Sequence, residues 1–585
     1  MSQRLRVART LLGVTCVAFA LAGLGAATPG GTPPTNVLLL LADDVGVDSL
    51  TLYGLGTLAA NTPNLDALAA GGMRFDNAFS NPTCSPTRAT LLTGRYSFRT
   101  GIGAIVDTSG GGLPLSEVTL PEMLDLGATT PWSHAMFGKW HLGHLNIGGP
   151  LAPNLAGFSH FAGSLQNLDP PAQSYTSWNK IVDGVTTHVD AYATTEVVDD
   201  ALAWIATAPE PWFTYVSFHS AHTPYHAPPA NLHTVDLSGA GEPNMDPVPY
   251  YRAMIEAMDT EIGRLLAGLG TTLDNTLVVF FGDNGTATEV TLPPFSPAQA
   301  KGKLFHQGTR VPLIVSGPQV AVAGSTSQAL VNTTDFFATL AEVAGVDLTN
   351  VEPAGQVLDS ISFLPSLADP AAAGARDLVF AERFWPNQPH TSVPVQPLGY
   401  TCQPTLDPGG EISMSLSLCG GALVDGNTAD LTLTGAPALA PVWLAIGSKY
   451  DPLPLPALGG VQGPNPIAYM ISALTDPSGS LVVPGLKGNI GPFVFYFQAV
   501  AQNPLNLYQL LWSNVVETHY LGVDSKAVFD GRYKLIASVL GGPDLFFDLW
   551  NDPFEQVNLL DAPLASADAV SFDNLTLRLT TLIAP

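Results

Sequence analysis

After Asn36 the chain runs Val37-Leu-Leu-Leu-Leu-Ala42 without a polar residue, then stops at Asp43-Asp44. A short apolar run with no alternation reads as a strand buried on both faces, as inside a parallel sheet. Trp212 to Phe218, Thr276 to Phe281 and Val311 to Val315 read as further strands. Between them, Tyr250 to Leu269 places Ile255, Met258, Ile262, Leu265 and Leu266 at helical spacing, and Thr334 to Ala344 predicts a second helix. Strands alternating with helices over roughly 300 residues predict an α/β fold: a large, mostly parallel central sheet flanked by helices.

The pattern changes after about Phe380. Residues 385–515 are rich in Pro, Gly, Leu and Ser, and Gly435 to Gly460 is especially loose. This stretch reads as an insertion with short strands. Regular alternation returns at Ala527 to Ala537, where Asp530-Gly531 marks a hairpin turn, and at Leu545 to Leu549. The expected organisation is therefore a signal peptide over 1–27, a catalytic domain over 34–380, the insertion over 385–515, and a smaller C-terminal antiparallel subdomain over 516–585.

Composition narrows the function classes. The chain has 585 residues, a net charge of -27 and only 12 % charged residues. Such an acidic surface excludes nucleic-acid binding through a phosphate-neutralising face. It also gives no long-range attraction for polyanions. Arg4, Arg6 and Arg9 precede the apolar stretch Leu11 to Gly25 and the small residues Gly25-Ala26-Ala27, as in a secretory signal too short to span a bilayer. The expectation is an exported protein, periplasmic or secreted, with no stable membrane span. Of its 4 cysteines, Cys16 leaves with the signal and Cys84 lies in a motif. Cys402 and Cys419 remain, as a disulfide or as two separate buried thiols.

In α/β sheets, sites gather at the carboxyl ends of strands. Here those ends deliver Asp43-Asp44, then His219 and His222, then Asp283-Asn284-Gly285. Three carboxylates and a carboxamide are hard oxygen ligands suited to Ca²⁺ or Mg²⁺, and a poor set for Zn²⁺. Singly, each group is a common turn. Two of them closing two buried strands point to a metal site.

Cys84-Ser-Pro-Thr-Arg88 adds a nucleophile. Ser85 suits a helix N-cap and Pro86 its first position, so a helix over Thr87 to Thr93 would direct its positive end at residue 84. Gly138-Lys-Trp-His-Leu-Gly143 offers Lys139 and His141, which face one side in extended chain and can together bind an anion and move a proton. Ser220-Ala-His-Thr-Pro-Tyr-His226 leaves His219, His222 and His226 as alternatives that spacing does not separate. Lys301 stands before a Gly-containing turn, in a chain where lysine is scarce.

Taken in order, Asp43-Asp44, Cys84 to Arg95, Gly138 to Gly143, Phe218 to Pro228, Asp283-Asn284-Gly285, Lys301 to Pro312 and Asp530 to Asp561 resemble the type I sulfatases of the alkaline-phosphatase-like superfamily. The resemblance brackets about two thirds of the chain, and Cys-x-Pro-x-Arg and Gly-Lys-Trp-His are its most specific elements. It implies an arylsulfatase-like sulfuric ester hydrolase whose Cys84 is converted to formylglycine by a separate formylglycine-generating enzyme. Asp43, Asp44, Asp283, Asn284 and residue 84 would hold Ca²⁺, or Mg²⁺. Arg88 would hold the aldehyde hydrate, and Lys139 and Lys301 would grip sulfate oxygens. His141 would help break down the covalent intermediate, and His222 would serve as acid to the leaving group together with Lys301. The run His306-Gln-Gly-Thr-Arg310 departs from the family's usual Gly-Gly before that arginine, and the insertion lies outside the pattern. Two other readings stand beside this one: a phosphonate monoester or phosphodiester hydrolase using the same aldehyde, and an unmodified, inactive binding protein. The low charge and loose insertion fit a small or apolar-tailed sulfate ester better than a heavily sulfated glycan.

Overall fold

The structure is a computed structural model. It describes residues 36–385 apart from 58–59, 108–110, 145–147 and 352–355, then 387, 400–401, 414–420, 428–447, 450–455, 460–464, 469–487, 493–502, 510–520, 524–538 and 543–583. The expected signal peptide and the Cys402–Cys419 pairing lie outside the described residues and side chains.

Ten strands form the central sheet: β1 (Asn36–Ala42), β2 (Met73–Phe79), β3 (Ser133–Lys139), β4 (His160–Ser164), β5 (Trp178–Val182), β6 (Val185–Val189), β7 (Trp212–Ser217), β8 (Thr276–Gly282), β9 (Leu313–Ser316) and β10 (Ser325–Asn332). Their order is β10-β2-β9-β8-β1-β7-β3-β4-β5-β6. The middle five, β8-β1-β7-β3-β4, are all parallel neighbours, and β10 pairs parallel with β2. The mostly parallel α/β sheet read from the sequence is the architecture observed. β9 begins later than the apolar run, at Leu313, because Pro312 has no N–H to offer a ladder. It runs antiparallel to both β8 and β2.

β1 explains why the sheet is covered on both sides. Val37, Leu39 and Leu41 enter one apolar core with Phe336, Phe337 and Leu340. Leu38, Leu40 and Ala42 enter the opposite core with Met254, Ile255, Met258 and Ile262. These partners lie on the helices Asp335–Ala344 and Pro247–Gly268, respectively. Because both faces are apolar, alternation cannot fix the register of β1. Its polar ends can: the Asn36 carboxamide oxygen accepts the Trp212 N–H at 3.1 Å, and Asp43 N–H donates to Ser220 O at 2.9 Å.

A second, antiparallel sheet contains Val379–Phe384, Asp524–Phe529, Tyr533–Ser538 and Leu545–Asp548. Its first strand precedes the insertion in sequence and its other three follow it. Asp530 accepts the N–H groups of Arg532 and Tyr533, closing the hairpin over Gly531 at φ 98°. Two further four-stranded antiparallel sheets and a two-stranded hairpin lie between Tyr400 and Tyr520, the last strand, Leu510–Tyr520, running five residues past the expected end of the insertion. Leu416, Leu431 and Leu433 from one sheet pack with Val442, Leu444, Phe497 and Ala499 from the other, so the two form a sandwich. The loose composition of Gly435 to Gly460 nevertheless carries strands Pro441–Gly447 and Tyr450–Leu455, held by pairing rather than by propensity. Among the described residues no helix is long and apolar enough to cross a membrane.

Candidate active site

The parallel ladder continues past the strand ends and sets the acidic groups side by side. Asp283 N–H donates to Ala42 O at 2.9 Å, and Ala221 N–H donates to Asp43 O at 2.6 Å. Asp44 takes a left-handed backbone, φ 61°, and its N–H reaches Asp283 Oδ1 at 3.0 Å. That turn directs the two neighbouring carboxylates into one centre rather than to opposite faces. Asn284 donates from Nδ2 to Asp44 Oδ1 at 2.8 Å. Gly285 is required beside it, because a Cβ there would lie 1.8 Å from Gln307 O.

Cys84 begins the helix Cys84–Thr93. The helix thus starts earlier than the sequence suggests, and Ser85 is not its cap: Thr83 holds that position, and the Ser85 hydroxyl accepts Val106 N–H at 3.0 Å. Residue 84 still sits at the helix's positive end, with its thiol 3.5 Å from Asp43 Oδ1. Arg88, one turn on, is wholly buried. Its Nη1 donates to Lys139 O at 3.0 Å and to the Ser217 hydroxyl, and its Nη2 meets Asp283 at 2.9 Å and Asp43 at 3.4 Å. One guanidinium fork therefore joins the ends of β1, β3, β7 and β8.

Lys139 closes β3 and its ammonium rests on Asp43 Oδ2. His141 is not in extended chain: its φ is 58°, so the expected alternation with Lys139 does not apply. Its ring is buried, and among the described residues Nδ1 has no partner. Lys301 reaches Asp44 Oδ1 at 2.6 Å from a loop pinned by Lys301 N–H to Thr286 O at 3.0 Å and Gly302 N–H to Pro82 O at 2.8 Å.

The structure separates the three histidines. His219 Nε2 bonds the Ser164 hydroxyl at 2.7 Å, and His226 bonds Pro224 O and the Tyr192 hydroxyl. Only His222 directs Nε2 at the carboxylates, 3.9 Å from Asp44, while its Nδ1 lies 2.8 Å from Thr223 O. Sequence reasoning passed over Ser217 and Tyr175. The Tyr175 hydroxyl shares its single hydrogen between His219 O and His222 O, bracing the histidine loop. A polar residue at the very end of a buried strand was the available signal for Ser217; Tyr175 had none.

Charge dominates this buried centre. Burial works to raise the Asp43 carboxyl, but Lys139, His222, Arg88 and Lys301 together hold it well below the usual carboxylate range. Burial and then the Asp43 charge push Asp283 up to about 7. Burial, then Lys139, holds His141 well below the ordinary imidazole range, and burial, then Lys301, lowers His222. Lys301 moves up against its burial because Asp44 faces it. Ligand atoms of Asp43, Asp44, Cys84 and His222 all fall within 4.8 Å of one another.

A cation-rimmed carboxylate centre at the carboxyl ends of a mostly parallel sheet suits an enzyme that acts on anionic esters. The family model described as Sulfatase matches residues 35–346, and the chain belongs to that family, among the type I sulfatases. It is 32 % identical over 387 residues to arylsulfatase A of Homo sapiens, covering 59 % of this chain and 70 % of that protein. It is 31 % identical over 383 residues to N-acetylgalactosamine-6-sulfatase of Rattus norvegicus, covering 59 % and 68 %. The fold is shared with the solved structure of BT4656 in complex with its substrate D-glucosamine-2-N,6-O-disulfate, at a TM-score of 0.54, 18 % identity and coverage of 94 % and 97 %. The protein is a sulfuric ester hydrolase, and sulfate esters are its substrate class.

Proposed function

We propose that this enzyme hydrolyses sulfate esters in an arylsulfatase-like manner through a formylglycine made from Cys84 by a formylglycine-generating enzyme, beside a bound divalent cation. The observation that carries this reading is the placement of residue 84: buried at a helix start, 3.5 Å from Asp43, with the cations Arg88, Lys139 and Lys301 around the same carboxylates. Residue 84, once converted, would supply a hydrated aldehyde: one hydroxyl as nucleophile toward sulfur and a second through which sulfate could be released as the aldehyde re-forms.

The donor set fits a hard cation. Asn284 Oδ1 is buried with no partner among the described residues, next to the carboxylates of Asp43, Asp44 and Asp283. A buried amide oxygen left unpaired costs roughly 1–3 kcal/mol, which a metal bond at that atom would offset. Asp43, Asp44, Asp283, Asn284 and residue 84 would hold Ca²⁺, or Mg²⁺; the ion supplies charge neutralisation for the sulfate oxygens.

Lys139 and Lys301 bind and orient the sulfate, and Arg88 holds residue 84 and its hydroxyls. Nδ1–H of His222 donates to Thr223 O, so a proton taken up by that ring goes to Nε2, which faces the site. That proton passes to the leaving oxygen. His141, kept neutral by burial, accepts a proton as sulfate departs. We assign catalysis to 34–380, a wall of the substrate cleft to 385–515, structural support to 516–585, and export from the cell to the signal over 1–27.

Peptide mass spectrometry over residues 75–95 of protein from its native source tests the reading. The expected result is an aldehyde at residue 84; an unmodified thiol in protein that lacks sulfatase activity overturns it. Turnover of a phosphonate monoester faster than of 4-nitrophenyl sulfate would move the assignment to the phosphonate class.

A further inference from the structure

Lys301 owes its place to a residue from the far end of the chain. Glu555 is almost completely buried, and its carboxylate Oε2 accepts the backbone N–H of His306 at 2.6 Å. Its carbonyl oxygen accepts Nε2 of Gln299 at 2.8 Å. One residue thus grips both ends of the short segment that carries Lys301. On the other side, Glu555 Oε1 lies 3.0 Å from Lys534 Nζ, itself buried on the strand Tyr533–Ser538 of the small sheet. The His306 ring is clamped between Phe79 and Phe529, with centroids 4.9 and 4.7 Å away. Phe305 packs on Phe547 at 5.8 Å.

The gripped segment and the three residues after it touch two parts of the site. Gly302 N–H meets Pro82 O, and Thr309 O receives Ser80 N–H, both on the loop before Cys84. Gly308 O receives Gly285 N–H, next to Asn284. Arg383, also from the small sheet, donates to Gly302 O at 2.9 Å.

We propose that Glu555 is a positioning residue for the reaction: its carboxylate, through the His306 N–H, fixes the loop that holds Lys301 against the anion site. The loop needs such a tether because its residues form no long regular element, and a side chain displaced by about 1 Å from its working position can cost about 10²-fold in rate. Lys534 makes the tether affordable, since a carboxylate buried alone would shed its charge. The inference rests on the role given to Lys301 above.

The test uses the full-length, converted enzyme with 4-nitrophenyl sulfate. Glu555→Leu/Lys534→Met removes both buried charges together and leaves the His306 N–H without an acceptor. Its kcat is expected to fall about 10²-fold, with KM changed far less, in protein whose circular dichroism spectrum matches the parent. Glu555→Gln/Lys534→Met keeps an amide oxygen for that N–H and is expected to recover most of the loss. Adding Lys301→Ala to Glu555→Leu/Lys534→Met is expected to cost much less than Lys301→Ala does alone, because both act on one group. A folded Glu555→Leu/Lys534→Met enzyme with unchanged kcat overturns this inference alone, as do fully additive losses with Lys301→Ala. A Lys301→Ala enzyme with full activity overturns both this inference and the role of Lys301 beneath it.

Discussion

Asn284 gives its amide N–H to Asp44 Oδ1 at 2.8 Å and keeps its own carbonyl oxygen buried, with no partner among the described residues. That oxygen, beside the carboxylates of Asp43, Asp44 and Asp283, is the atom the proposed cation would take up. EDTA-treated protein is therefore expected to gain stability from Ca²⁺, by about 2.7 kcal/mol when the ion is present at about 100 times its Kd. The gain reads as a rise in thermal midpoint, and Asn284→Leu should abolish it. A midpoint indifferent to both Ca²⁺ and Mg²⁺ would remove the cation from the site.

Arg88 meets four strand ends with one planar fork, and lysine cannot reproduce that geometry. Arg88→Lys leaves Asp283 and Ser217 without their buried donor. A loss of about 3–5 kcal/mol in urea unfolding is expected, together with loss of activity. A variant within about 1 kcal/mol of the parent would show that the fork is dispensable.

Burial, then the Asp43 charge, pushes the Cys84 thiol up to about 12. An unfolded cysteine ionises near about 8.5, so at that pH the native thiol stays neutral while the unfolded one is half thiolate. The stability this shift contributes is whole below about pH 8.5 and is lost as pH rises toward the folded value. In unconverted protein, iodoacetamide should label residue 84 slowly in the native state and rapidly after denaturation. Fast native labelling, located by peptide mapping, would contradict the burial.

His222 is lowered by burial and by Lys301. An acid must carry its proton, and this ring carries one only below its depressed value. Hence kcat/KM, which reports the free enzyme, should fall as pH rises through a value below about 6.5. His222→Asn should flatten that limb and cost about 10²–10⁴-fold, more for alkyl sulfates than for 4-nitrophenyl sulfate. An unchanged pH profile in His222→Asn would assign the acid elsewhere.

The sheet was legible because burial on two faces leaves a local mark. Val37–Ala42 and Leu277–Gly282 carry no polar side chain, and each is followed at once by an aspartate, Asp43 or Asp283. Cys84, Arg88 and Gly138 to His141 were legible as a resemblance, which names residues without placing them. The start of the Cys84–Thr93 helix was misplaced because Ser85 has a competing partner, Val106, that the local sequence does not announce. The side on which His141 lies was argued from extended chain, and its left-handed backbone removed that premise.

The sequence by itself determined which chemical groups this enzyme possesses and which strands end in them, since periodicity and strand termini are local properties of the chain. Only the tertiary structure decided which groups meet. His222 rather than His219 or His226 faces Asp44, Arg88 bridges four strands, and Glu555 holds a loop 249 residues away. Such pairings depend on register between distant segments, and a one-dimensional pattern of apolar and polar positions carries no information about that register.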